Sequence, residues 1–228
     1  MAEPMGERAR QVKERLTRKR LLGLDRSGPK PMQTRPGQPL RPFTIPNIIG
    51  YLRLAGIPVF CVIAFNSGDG RDGLAALIFL AIALGDLLDG FVARATGQYS
   101  RLGALLDPIV DRMTILAGAA VCWHFELLPR WALALLAARE LTMLFLSYYG
   151  LHRGVDLEIT WVGRISVLLI MGGIFWSMVF DWLILDIAFT IGVGLAITAA
   201  FFYVRDARRR ALADAEAEGR NMHPGVQP

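Results

Sequence analysis

D-L-L-D-G-F-V-A-R, from Asp86 to Arg94, and G-A-L-L-D-P-I-V-D, from Gly103 to Asp111, place four carboxylates in two segments otherwise apolar enough to lie in a membrane. A bilayer does not hold bare negative charges, so something must neutralise them. The spacing indicates what. Asp86 and Asp89 stand three residues apart and Asp107 and Asp111 four apart, so on helices each pair shares one face, one turn apart. Two such helices facing each other form a site for divalent cations.

The rest of the chain supplies a setting in lipid. It has 228 residues, 54% of them hydrophobic, and a positive mean hydropathy, a balance suited to an integral membrane protein rather than a soluble domain with one core. Six apolar runs stand out: Ile45 to Phe65, Leu74 to Ala93, Gly103 to Phe125, Trp131 to Leu151, Trp161 to Phe180 and Trp182 to Val204. Each has about 20 residues, enough at roughly 1.5 Å per residue to cross a hydrocarbon core of about 30 Å. The pattern predicts an all-α integral membrane fold with six transmembrane helices. No alternation of apolar and polar residues supports a β-barrel.

Orientation follows from the basic residues, because short loops rich in Lys and Arg stay in the cytoplasm. Eleven Lys and Arg precede Ile45 and five follow Val204, while Arg94, Arg101, Arg153 and Arg164 lie at the even-numbered connections. The opposite loops hold only Arg71 and Arg130. Both termini are therefore expected in the cytoplasm, with the acidic motif opening to the same side of a cell membrane. The chain divides into a basic, Pro-rich tail over 1–43, a six-helix body over 44–204 and a charged tail over 205–228. The first tail lacks the apolar core of a signal peptide. Arg8 to Leu24 suits a juxtamembrane helix on anionic lipid, followed by a stiff linker from Pro29 to Pro42, or else a solvated tail that only fixes topology. The sequence pI near 9.6 does not call for nucleic acid, since positive-inside membrane proteins acquire the same imbalance. Cys61 and Cys122 read as packing residues, and His124 and His152 as structural.

Four carboxylates would be balanced by two Mg²⁺ or Mn²⁺ ions. Gly90 directly after Asp89, Ala93 one turn on and Gly103 one turn before Asp107 keep that side clear of bulk, so a large group can approach the backbone. Arg94 ends the second run, where a guanidinium can meet phosphate oxygens as a bidentate fork. Oxygen ligands, room and a phosphate clamp point to chemistry on a phosphate ester. Two alternatives compete: a network in which Asp86 or Asp89 pairs with Arg94 and Asp111 with Arg112 to lock the helices, and a cation pathway. The first leaves a surplus of carboxylate, and neither explains the small residues.

The pattern D-x2-D-G-x2-A-R-x8-G-x3-D-x3-D, matched by Asp86, Asp89, Gly90, Ala93, Arg94, Gly103, Asp107 and Asp111, resembles the signature of the CDP-alcohol phosphatidyltransferases. The resemblance implies that the phosphatidyl group of CDP-diacylglycerol passes to an alcohol and CMP leaves. By similarity, Asp86, Asp89 and Asp107 would hold the metal that engages the diphosphate and Asp111 would complete the second metal site; we also assign Asp111 as general base. Gly90, Ala93, Arg94 and Gly103 would lie along the nucleotide. Asn47, with Thr44 as a weaker candidate, resembles the family's N-terminal nucleotide contact, although Thr44 and Pro46 also suit a plain helix start. A homodimer is implied by the same likeness.

The acceptor is read from the other intramembrane charges. Arg139 and Glu140 interrupt the fourth run, Arg153 follows it and Arg164 opens the fifth. Such charges are costly unless paired or used. Arg139 and Glu140 suit a structural salt link, whereas Arg164, with Arg139 and Arg153 behind it, would bind an acceptor's phosphate. T-I-P-N-I-I-G-Y-L-R-L-A-G-I-P-V-F and A-R-E look most like the branch using glycerol 3-phosphate to make phosphatidylglycerol phosphate. The run from Ser100 to Arg112 looks closer to cardiolipin synthases using phosphatidylglycerol, and phosphatidylinositol phosphate synthase stands third.

Overall fold

Each apolar run becomes a helix. A computed structural model describes residues 41–153 and 161–222, with α1 over Ile45–Phe65, α2 over Gly73–Thr96, α3 over Arg101–His124, α4 over Arg130–Arg153, α5 over Trp161–Ser177 and α6 over Leu183–Met222. There is no strand among the described residues. The surface helix expected over Arg8 to Leu24 and the linker from Pro29 to Pro39 lie outside them.

The helix boundaries have local causes. Pro46 occupies the first turn of α1, where its fixed φ suits the helix and its missing N–H removes no bond. The Asp72 side chain caps α2 by accepting from the Ala75 N–H at 2.8 Å. Gly97 ends the same helix at φ 68, the left-handed conformation that glycine adopts at least cost. Ser100 caps α3, its hydroxyl accepting from the Gly103 N–H at 2.8 Å. Pro58 and Pro108 sit inside α1 and α3, each removing one main-chain bond, so Pro108 leaves the Ala104 carbonyl without its usual donor midway along the acidic segment. The last helix continues well past its apolar part, because the residues after Val204 are rich in Ala, Arg and Glu, all good helix formers.

Helices α1 and α2 and the Leu183–Phe202 part of α6 are long and apolar enough to cross a membrane, and α5 is a shorter apolar helix. Helix α3 carries Asp107, Asp111 and Arg112, and α4 carries Arg139 and Glu140 in mid-length. Leu52, Leu87, Phe145, Leu168 and Leu183 are exposed on the outside of their helices, as contact with lipid allows and water does not favour.

The helices fall into two compact units that part within α3, after Val121. In the first, α1 packs along α2: the Phe60 and Phe79 rings lie 5.4 Å apart at 50°, and Gly56 fits against Ile82. In the second, α5 packs on α6 through small residues. A Cβ at Gly192 would stand 2.8 Å from Leu169 Cβ, so glycine there lets the two backbones approach. Cys122 is buried beside Ser177, with Sγ to Oγ at 3.5 Å, which matches its expected packing role.

Candidate active site

The acids of α2 and α3 meet on a residue of α1 that the motif does not contain. The Arg53 side chain is 3% exposed and donates from Nη1 to Asp89 Oδ2 at 3.0 Å and from Nη2 to Asp111 Oδ1 at 2.6 Å, with Asp86 Oδ1 at 3.5 Å. Its Nε donates to the Ile82 carbonyl of α2 at 3.0 Å. One guanidinium thus holds three carboxylates from two helices and a main-chain carbonyl, four acceptors that its five N–H donors can serve and an ammonium's three cannot. Asp107, one turn before Asp111, lies within electrostatic reach of Asp86, Asp89 and Asp111. The side chains of Asp86 and Asp111 remain 42% and 39% exposed, whereas Asp89 is 6% exposed. The cluster therefore has a buried floor, Arg53 and Asp89, and a face that opens outward.

Arg53 escaped the sequence reading although it lay in plain view, a charge inside an otherwise apolar run. Gly85 escaped with it. A Cβ at position 85 would lie 2.7 Å from Arg53 Cδ and 2.8 Å from its Cγ, so only glycine leaves the arginine stem a path to the acids.

The glycines of the motif also have neighbours of their own. A Cβ at Gly90 would come within 3.1 Å of the Arg94 Nη1, so the guanidinium folds back over Gly90. At Gly103 it would come within 2.6 Å of Asn47 Oδ1. Asn47 is buried, and its amide donates to the Arg41 and Pro42 carbonyls at 3.0 and 3.2 Å, while its Oδ1 accepts from the Ser100 hydroxyl at 2.8 Å. It acts here as a latch tying the start of α1 to the start of α3. A nucleotide contact through the Asn47 amide N–H groups requires one of these bonds to be exchanged. Ala93 is half-buried on α2. Thr44 makes no capping bond with its side chain. Replacing Ser100 with Ala removes both a cap and the donor to a buried oxygen, and is expected to destabilise the chain by about 2 kcal/mol. An unchanged thermal midpoint in detergent would show that the latch contributes nothing.

The donor set suits a hard cation. It is all carboxylate oxygen, with no His or Cys, which favours Mg²⁺ or Mn²⁺ over zinc or copper. Asp86, Asp89 and Asp111 all reach the Arg53 guanidinium, three carboxylates to one fixed positive charge. Among the described residues no three acids close around a single point, and Asp86, Asp89 and Asp111 instead share Arg53.

The charged residues of α4 and α5 belong to the second unit. Arg139 Nη1 pairs with the fully buried Glu140, the salt link that the sequence offered as one of two readings. Arg164 lies over the Trp161 ring, 4.8 Å from its centre, a cation on an aromatic face. Arg153 is the last residue of α4, and its side chain lies outside the described ones.

A model of the CDP-alcohol phosphatidyltransferase family matches residues 43–203. The chain belongs to this family. That makes it a transferase of phospholipid biosynthesis, in keeping with helices apolar enough for a membrane. A Streptomyces coelicolor family member named CMP-forming cardiolipin synthase is 33% identical over 196 residues, covering 78% of this chain and 89% of the relative. A Mycobacterium tuberculosis protein named putative cardiolipin synthase is 34% identical over 134 residues, 58% of this chain and 63% of its own. An Escherichia coli protein named CDP-diacylglycerol–glycerol-3-phosphate 3-phosphatidyltransferase is 30% identical over 143 residues, 60% of this chain and 77% of its own. The family membership carries the sequence-level resemblance from the eight motif positions to most of the chain.

Proposed function

We propose that this phosphatidyltransferase crosses the membrane six times, with both termini and the acidic cluster on the cytoplasmic side, and moves the phosphatidyl group of CDP-diacylglycerol to the free hydroxyl of phosphatidylglycerol. The observation that carries the reading is the convergence of Asp86, Asp89 and Asp111 from two helices on one small, outward-opening region. Asp86, Asp89, Asp107 and Asp111 would hold two Mg²⁺ or Mn²⁺ ions, which when bound neutralise the diphosphate and stabilise charge developing on the departing CMP.

The rest is the work of the chain's own residues. Asp111 is half-exposed, so an acceptor hydroxyl can reach its carboxylate and give up its proton there. The hydroxyl oxygen then forms a bond to the phosphatidyl phosphorus as the bond from that phosphorus to the bridging diphosphate oxygen breaks, and CMP leaves with the electron pair. Arg94, folded over Gly90, would meet a phosphate of the nucleotide. Gly90, Ala93 and Gly103 keep the nucleotide side of α2 and α3 low, with Asn47 a nucleotide contact once its latch opens. Arg164, then Arg139 and Arg153, are the candidates for the acceptor's phosphate. The diacyl tails stay in lipid, and a homodimer is part of the same proposal.

Phosphatidylglycerol is placed first because the Streptomyces relative aligns over 78% of this chain and the Escherichia coli relative over 60%. Glycerol 3-phosphate is the second reading, favoured by that Escherichia coli relative and by the T-I-P-N and A-R-E segments. The purified chain in detergent, given CDP-diacylglycerol, Mg²⁺ and one acceptor at a time, decides between them. Cardiolipin and CMP with phosphatidylglycerol are the expected products. Phosphatidylglycerol phosphate made only from glycerol 3-phosphate would reverse the order, and no CMP with any alcohol would overturn both.

A further inference from the structure

We infer that Arg53 is the resident countercation of the divalent-ion site, and that its fixed charge sets how weakly the site holds divalent ions. The inference rests on the reading of these acids as ion ligands. Three observations carry it. First, the guanidinium makes contact with all three carboxylates at once, so its positive charge occupies the middle of the donor set. Like charges repel strongly where solvent is scarce, and a divalent ion entering the same set meets that charge.

Second, Arg53 sits on the floor of the cluster, 3% exposed, while Asp86 and Asp111 open outward at 42% and 39%. Ions therefore approach from the face opposite the arginine, and need not push past it. Third, the arginine has an anchor independent of the acids. Its Nε donates to the Ile82 carbonyl, and its stem runs through the gap that Gly85 leaves open. The guanidinium thus has a fixed place on α2 whether or not the carboxylates turn from it to incoming ions. It acts through the acids, as a positioning residue rather than a catalytic one.

The test is Mn²⁺ binding to the full chain, read by electron paramagnetic resonance of free Mn²⁺ without nucleotide. Arg53→Gln is expected to bind Mn²⁺ about tenfold more tightly than the wild type, since a positive charge in contact with the ligands has been removed. Arg53→Lys, which keeps the charge and loses the fork, is expected to stay within about threefold of the wild type. A purely structural arginine would give the opposite sign, with acids scattering and affinity falling. Equal or weaker Mn²⁺ binding by Arg53→Gln overturns the inference, as does the absence of Mn²⁺ binding in both proteins. If Arg53→Gln does not fold without metal, recovery of folded protein purified in Mn²⁺, with a larger Mn²⁺-induced thermal shift than the wild type's, supports it; failure to fold even then overturns it. Lack of CMP release by the wild type is a separate result that removes the phosphatidyl-transfer reading and leaves the Mn²⁺ titration standing.

Discussion

Asp111→Asn is expected to slow CMP release on the order of a hundredfold to ten-thousandfold while leaving nucleotide binding largely intact. The amide is close in shape to the carboxylate, and its oxygen can still accept from Arg53, which donates to Asp111 Oδ1 at 2.6 Å. What it cannot do is take a proton from the attacking hydroxyl. Loss of the negative charge would also weaken the hold on one of the two proposed ions, so the assay is run at saturating Mg²⁺, and CDP binding is measured on the same preparation. A variant that turns over normally would move the proton acceptor to another residue. A variant that loses CDP binding along with turnover would mark Asp111 as a binding group in the first place.

Gly85→Ala is the second large effect. A methyl group at this position meets the middle of the Arg53 stem at 2.7 and 2.8 Å, and the far end of that side chain is pinned by three carboxylates and a main-chain carbonyl. The stem cannot swing aside without breaking those bonds, so either the helices part or the arginine leaves its acids uncompensated. Overpacking and a broken buried ion pair each cost a few kcal/mol, and a loss of about 3 kcal/mol or more is expected, with CMP release falling in step. Gly50→Ala on α1 is the control, because nothing lies within 4 Å of its would-be Cβ, and helix propensity makes that change neutral or stabilising by up to about 1 kcal/mol. Equal thermal midpoints for Gly85→Ala and the wild type would show that Arg53 has another route to the acids.

The helices were legible because apolar runs of spanning length permit little else. Ile45 to Phe65 was read to the residue, and the other boundaries shifted by a few residues where capping rather than hydropathy decides, as at Asp72 and Ser100. Helix α6 departs most from its apolar run, since it continues past Val204 through charged residues to Met222. The acids were legible because their spacing repeats the helical turn. Arg53 was not, because its partners lie 33 to 58 residues away and no local period links them. The same limit applies to the glycines. The sequence marks Gly90 and Gly103 as places where bulk is refused, but only coordinates reveal that Arg94 and Asn47 lie beside them.

Helix α6 runs for 40 residues, about 60 Å at roughly 1.5 Å per residue, against a hydrocarbon thickness of about 30 Å. Its apolar part ends at Phe202, so on the proposed topology the far half would stand clear of the oily layer as a continuous rod. Arg205, Arg208, Arg209 and Arg210 follow the apolar part in sequence, where a helix of the proposed topology would meet acidic headgroups. A rod rooted in this way resists sliding along the bilayer normal in either direction, because inward movement would bury arginines and outward movement would wet leucines and phenylalanines. On the proposed topology, the final helix would act as a depth gauge for the transferase.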